Sequence, residues 1–251
     1  MTIFDGVRRV VFAHAHPDDE TLATGALIQY LTRHDVTVAV VTATRGERGE
    51  VVPGPLSSLA GTAELDTHRV GELSAALRAL GAEGPFFLGE PPARASGLSP
   101  RRYTDSGMRW VTPTIAGPDD DAGPDAFTSA ARDEAASDLA AFLTAWAAEL
   151  VISYESDGGY GHPDHVHMHQ VARRAAEAVG LPFAEVVSIP RDGTPPPTEG
   201  VEWYDLTDRY GKLLPALLAH ASQFMVDGRD AIHSGGQREP LQLRTGLRLR
   251  A

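Results

Sequence analysis

His14-Ala15-His16-Pro17-Asp18-Asp19-Glu20 sits between two different patterns. Before it, residues 7–13 contain Val-Val-Phe-Ala, a short β-branched run that suits a buried parallel strand. After it, Leu22, Ala26, Leu27, Tyr30 and Leu31 recur at helical spacing across residues 21–33. The same order of strand, polar turn and helix returns late in the chain. An apolar run at residues 150–154 leads into Gly158-Gly159-Tyr160-Gly161-His162-Pro163-Asp164-His165, which opens a helical pattern reaching about Val179. Both turns offer imidazoles and carboxylates at the spacing of metal ligands.

Between these turns strand and helix alternate. Residues 36–43 read as a second strand, ending in the charged loop Thr44-Arg45-Gly46-Glu47-Arg48-Gly49-Glu50. Residues 64–80 read as a helix, with Leu73, Leu77 and Leu80 on one stripe and Gly81 as its stop. Strands are expected at 85–88 and 185–189, and helices at 129–149 and 208–222. Pro195-Pro196-Pro197 marks a rigid loop. Residues 89–127 and 223–251 have no clear period and are expected as an irregular loop and a tail that wall a substrate site. The whole, residues 1–251, reads as a single α/β domain with a Rossmann-like, open, mostly parallel sheet and helices on both faces. Ligands of such sheets bind beyond the carboxyl ends of the strands. The polar clusters all follow strands: His16 to Glu20 after the first, Arg45 to Glu50 after the second, Asp105 after the third, His162 to His165 after the fourth.

Composition narrows the chemistry. Lys plus Arg number 22 against 34 Asp plus Glu, a net charge of -12, which disfavours nucleic acid and anionic membrane as partners. With 0 cysteines, disulfides and thiolate-bound metal are excluded, so any metal must rest on His, Asp or Glu. No basic N-terminal segment precedes a long apolar stretch, and no window reads as a membrane span. The expectation is a cytoplasmic protein, with assembly into a homo-oligomer left open.

His16 and Asp19 are separated by two residues across a strand-to-helix turn, within reach of one ion. The late turn must supply a third ligand. His162, His165 and His169 fall near one face at the start of a helix, and spacing alone does not choose between His165 and His169. His167 points away from that face. Two imidazoles and a carboxylate leave zinc an open position for water, whose pKa falls to about 7. Asp18, beside a ligand, suits a general base. An isolated Asp-Asp pair would read as a helix cap, but His16 and the late cluster favour the metal reading. His34, His68 and His233 read as surface or packing histidines.

His16-Pro17-Asp18-Asp19-Glu20 together with His162-Pro163-Asp164-His165 resembles the LmbE/PIG-L zinc deacetylases, which remove acetyl from N-acetylglucosamine-containing substrates. Arg45-Gly46-Glu47-Arg48-Gly49-Glu50, Arg69 with Gly71-Glu72-Leu73, Asp105-Ser106-Gly107-Met108 and Gly158-Gly159-Tyr160-Gly161 resemble the mycothiol branch of that family. That branch holds the N-acetylglucosaminyl-inositol deacetylase and the mycothiol S-conjugate amidase. The resemblance spans roughly residues 7–222. It implies that His16, Asp19 and His165 bind one Zn2+ per chain, with Fe2+ as the ion open to it in the cell. It makes Asp18 the general base, His162 an imidazolium stabilising the oxyanion, Asp164 its orienting partner, and Tyr160 a group polarising the carbonyl. Glu47, Arg69 and Asp105 would hold sugar and inositol hydroxyls. The implied substrate is a small N-acetylated amino sugar, such as N-acetylglucosaminyl-inositol; a mycothiol S-conjugate or a glycosylated antibiotic intermediate is the alternative.

Two other classes compete. A nucleotide-binding module would use the Gly158-Gly159-Tyr160-Gly161 turn as a phosphate cradle, but the dinucleotide fingerprint and the P-loop lysine are missing. A catalytically silent relative would keep the fold alone, yet the ligands and base are all in place.

Overall fold

The computed structural model describes residues 2–189 and 197–250. Pro195 and Pro196 of the expected rigid loop lie outside them. In chain order the elements are β1 (Arg9–His14), α1 (Asp19–Leu22), α2 (Gly25–Thr32), β2 (Thr37–Thr42), α3 (Glu64–Leu80), β3 (Glu83–Phe87), β4 (Met108–Trp110), β5 (Ala116–Pro118) and α4 (Arg132–Ala145). There follow β6 (Leu150–Tyr154), α5 (Pro163–Val179), β7 (Phe183–Val187), β8 (Glu202–Asp205), α6 (Tyr210–Ala219), β9 (Phe224–Asp227), β10 (Asp230–His233), β11 (Arg238–Pro240) and β12 (Arg244–Arg250). Among the described residues, no helix is long and apolar enough to cross a membrane.

Seven strands form the central sheet in the order β3-β2-β1-β6-β7-β12-β8. The first five run parallel, and β12 is antiparallel to both neighbours. Strand β1 is buried on both faces, so its apolar run is continuous and its period of two sorts side chains between two cores. Val10 and Phe12 pack with Leu27, Leu77 and Leu213 from α2, α3 and α6. Val11 and Ala13 pack with Leu139, Phe142 and Met168 from α4 and α5. Helices therefore cover both faces, as the alternation of patterns implies.

The chain winds from β1 outward to β2 and β3, then returns to place β6 on the other side of β1. Strand order thus reverses between β1 and β6, which opens a crevice at their carboxyl ends. The two His-bearing turns leave the sheet at that crevice. The pairing Val10↔Leu150, Val11↔Val151, Phe12↔Ile152 sets them level with each other.

Several expectations need correction. The helix expected over residues 21–33 is broken into α1 and α2 at Thr24, whose hydroxyl donates back to the Glu20 carbonyl and meets His14 Nε2 at 3.0 Å. Such side-chain bonds compete with the helical ladder. The stretch 89–127 is not irregular throughout, since β4 and β5 pair as an antiparallel hairpin within it. The tail from residue 223 is ordered too: β9, β10 and β11 form a small antiparallel sheet, and β12 joins the central sheet. Asp105 lies well beyond the end of β3, in the loop that approaches β4.

Phe12 is fully buried at the centre of the first core. Phe12→Ala is expected to lower unfolding stability by about 3–5 kcal/mol, the usual cost of such a cavity, and urea denaturation of the two proteins measures it.

Candidate metal centre

The turn after β1 and the first turn of α5 converge at the crevice. His16 Nδ1 lies 3.3 Å from Asp19 Oδ2 and 3.3 Å from His165 Nε2, and His165 Nε2 lies 3.3 Å from Asp19 Oδ1. A tetrahedral ion with bonds of about 2.0–2.1 Å separates its donors by roughly 3.3 Å. The two Asp19 contacts end on different carboxylate oxygens, so His16, Asp19 and His165 stand close enough together to share one divalent ion without forming a finished ligand set. His165 rather than His169 is the second imidazole of the group. His169 Nδ1 turns instead to the Tyr154 carbonyl at 2.9 Å, on the far side of α5's first turns.

Each of these three side chains is held from behind. His16 Nε2–H donates to Asp164 Oδ2 at 3.1 Å, and His165 Nδ1–H donates to the Gly158 carbonyl at 3.2 Å. Those bonds leave His16 Nδ1 and His165 Nε2 as the nitrogens that face the gap. Asp19 Oδ2 accepts from the Tyr154 hydroxyl at 2.7 Å and from the His16 amide at 2.9 Å. Gly158 is required here: its φ is +69°, and a Cβ would stand 2.8 Å from His165 Cβ. Pro163 at the first turn of α5 and His162 as its cap start the helix where the sequence places it.

Burial would raise the Asp19 carboxyl, but His165 and then His16 hold it well below the carboxylate range. Burial would likewise lower His16, but Asp105, Asp164 and Asp19 raise it well above the usual imidazole value. A surplus of negative charge around an imidazole pair is the electrostatic setting in which a cation is stabilised.

Asp18 occupies the strained turn beside this triangle, at φ 111°. Burial pushes its carboxyl up to about 6, against the neighbouring Arg69 guanidinium, which pulls the other way. Arg69 is 3% exposed, and its terminal nitrogens donate to the Gly46 carbonyl at 2.7 Å, the Pro17 carbonyl at 2.5 Å and Asp18 Oδ2 at 3.1 Å, while its Nε is buried without a partner. The expectation that Arg69 holds sugar hydroxyls is corrected accordingly: it is a buried strut beneath the turn. Gly46, at φ +66°, leaves it room, for a Cβ there would lie 1.9 Å from Arg69 Nη1.

His162 stands beside the triangle, its ring centre 4.6 Å from His16 and 4.8 Å from His165. One ring nitrogen of each of the three lies within 4.8 Å of the others. Two expectations about His162 change. Its Nδ1 accepts the Asp164 amide N–H at 3.2 Å, and burial, then His16 and His165, push its pKa down to about 2. Accepting at Nδ1 leaves Nε2 as the ring nitrogen that carries a proton, an arrangement that suits a neutral ring better than the expected imidazolium. The Asp164 carboxylate does not orient it either; it serves His16, with Ser106 donating to it from its amide at 3.0 Å and its hydroxyl at 2.5 Å.

Tyr160 lies half-buried over the site, its ring 5.2 Å from that of His165 and stacked at 5.9 Å with Trp110 of the hairpin. Glu47 takes the Asp105 amide at 3.0 Å and Arg102 at 2.8 Å. Asp105 is buried 3.8 Å from His16 Nε2 and accepts from the Gly107 and Arg48 amides. His167 packs edge-on against Phe127 at 4.6 Å, away from the site, and burial pushes its pKa down to about 4.

Sequence reasoning missed Tyr154 and Ser106. Tyr154 both bonds Asp19 and stacks on His165 at 4.1 Å with an interplanar angle of 10°. Its signal was a polar-tipped aromatic closing the fourth strand run; Ser106 carried none beyond its place next to Asp105.

Metal titration by calorimetry tests the arrangement. His165→Ala is expected to abolish binding of one divalent ion per chain. Asp164→Asn is expected to weaken it by about 10- to 100-fold, and His169→Ala to leave it unchanged.

A 1D-myo-inositol 2-acetamido-2-deoxy-alpha-D-glucopyranoside deacetylase from Kineococcus radiotolerans is 42% identical over 171 residues, covering 68% of this chain and 45% of the relative. One from Rhodococcus erythropolis is 38% identical over 224 residues, covering 88% and 68%. The matched stretch spans about half the length of the first such relatives. Among solved structures, an N,N'-diacetylchitobiose deacetylase from Pyrococcus horikoshii superposes with a TM-score of 0.60 at 21% identity, covering 88% of this chain and 73% of that one, a likeness of fold. The family model for PIG-L, GlcNAc-PI de-N-acetylase, matches residues 11–176. With its two His-bearing turns inside that match, the chain belongs to the PIG-L family.

Proposed function

We propose that this chain removes the acetyl group from an N-acetylglucosamine-type substrate, with Zn2+ as its ion and N-acetylglucosaminyl-inositol as the member of that class its relatives name. The observation that carries the reading is the triangle of His16, Asp19 and His165 with 3.3 Å edges, set directly beside the perturbed carboxylate of Asp18. When bound, the ion supplies Lewis acidity at the amide and makes water available as a nucleophile near neutral pH.

The residues of the chain do the rest. Asp18 takes the proton from the attacking water and returns it to the leaving amine. Its side chain is 17% exposed, so it reaches the solvent side of the crevice while staying largely desolvated. His162, as a neutral imidazole, directs an N–H toward the oxyanion that forms at the carbonyl. A neutral donor avoids placing a full charge next to a cation. Tyr160, across the same mouth, polarises the carbonyl or adds a second donor. Asp164 holds His16 and so acts on the ligand rather than on the substrate. Of the three residues expected to bind sugar, Glu47 keeps the solvent-facing carboxylate, 20% exposed, and is the one assigned to a hydroxyl. Asp105 fixes the Arg48 and Gly107 backbone around it.

Acetate release from N-acetylglucosaminyl-inositol by the zinc-loaded protein tests the proposal, with N-acylglucosaminides and thiol conjugates as a panel. Absence of amide cleavage across the panel would end it. Asp18→Ala is expected to retain the ion and lose rate by a factor of about 100 or more. The competent form of Asp18 is the carboxylate, and its pKa is raised to about 6. Rate is therefore expected to be lost as pH falls through about 6, with the bound cation moving that limb lower, and kcat/KM against pH measures it.

A further inference from the structure

Asp18 adopts a backbone conformation that L-residues avoid, at φ 111° and ψ -32°. A non-glycine residue held there is strained and persists only where its surroundings over-determine it. Arg69 grips one side of the turn through the Pro17 carbonyl and the Asp18 carboxylate. The other side is gripped by a group outside the reaction itself. Glu20 Oε2 accepts the Asp18 amide N–H at 2.9 Å. Glu20 Oε1 meets His220 Nε2 at 2.8 Å and the Thr21 hydroxyl. Glu20 and His220 are both 0% exposed, so neither can trade its partner for water.

His220 comes from the end of α6, beyond residue 176 where the family model stops. Its segment is itself tied down. The Ser222 amide and hydroxyl donate to Glu72 of α3 at 2.7 and 2.6 Å, and the Val52 amide donates to the Ser222 carbonyl at 2.9 Å. A chain of bonds thus runs from the C-terminal third of the molecule, through a buried ion pair, to the amide of the residue assigned as base.

We propose that Glu20 and His220 are a positioning pair, which holds Asp18 in its strained conformation so that its carboxylate faces the crevice. The inference rests on the reading of Asp18 as general base. Neither residue touches substrate; both act through the Asp18 amide. A buried charge pair costs several kcal/mol of desolvation per ion, so it is weak evidence for stability and better evidence for a fixed geometry.

The test compares acceptor-keeping and acceptor-lacking variants of the zinc-loaded protein, with zinc content and thermal unfolding measured alongside. Glu20→Gln keeps an oxygen for the amide and is expected to retain kcat within about 3-fold, whereas Glu20→Met is expected to lower kcat about 10- to 100-fold with KM and zinc content unchanged. Glu20→Gln/His220→Leu removes the anchor without burying a lone charge and is expected to follow Glu20→Met; it carries the comparison if Glu20→Met does not fold. Adding Glu20→Met to Asp18→Asn is expected to slow the enzyme no further, because the pair acts through the base. A second readout needs no turnover: amide exchange at Asp18, followed by NMR in the metal-free protein, is expected to quicken about 10-fold in Glu20→Met. Losses that multiply with Asp18→Asn, or an Asp18 amide whose exchange does not change, would overturn the inference. If wild type cleaves no amide, the proposed function fails while the exchange experiment still judges the positioning pair.

Discussion

The parallel pairing of β1 with β6 is the constraint on which the rest depends. Three matched residue pairs, Val10 to Phe12 against Leu150 to Ile152, bring the ends of two distant strands level. His16 and His165 are 149 residues apart in sequence, yet their facing nitrogens stand 3.3 Å apart. A slip of one residue in that pairing would reverse every side chain in β1 between its two cores. The hydrophobic sorting of Val10 and Phe12 from Val11 and Ala13 therefore protects the geometry of the polar turns that follow.

At those turns the protein concentrates groups that each oppose burial. Asp19, His16, Asp164 and His165 are all buried or nearly so, and their charges are offset by one another and by hydrogen bonds from Tyr154, Ser106 and backbone groups. An isolated ion moved into such surroundings costs several kcal/mol. A divalent cation among the donors would relieve part of that cost and would link folding of the turns to metal binding. Around this centre the layers are specialised: Tyr154 and Asp164 brace Asp19 and His16, Arg69 and Glu20 brace the Asp18 turn, and the β4–β5 hairpin carries Trp110 against Tyr160.

The strands and helices flanking both His-bearing turns were legible because their hydrophobic periods are clean. The helix at residues 64–80 has the bounds its leucine stripe and Gly81 imply. The tail was not legible, since β9, β10 and β11 are only 4, 4 and 3 residues long, too short to show a period, and their pairing is with one another. In β12 the alternation of Leu247, Arg248, Leu249 and Arg250 is a strand signal, but its antiparallel place between β7 and β8 depends on long-range pairing. Arg69 shows the same limit at the site. Its place in the resemblance pointed to substrate, and only its burial against Pro17 and Gly46 shows that both its terminal nitrogens are bonded within the protein.

The sequence by itself determined the α/β class, the family, and the identity of the groups that can hold an ion, because these follow from residue type, period and spacing within single segments. Tertiary structure decided which imidazole stands beside His16 and Asp19, that His162 Nδ1 accepts the Asp164 amide, that Asp164 bonds His16, and that a histidine near the end of α6 reaches the first turn. Those are matters of distance and burial between segments far apart in the chain. Local spacing carries no information about them, because register, side-chain direction and the exclusion of water arise only when the layers pack.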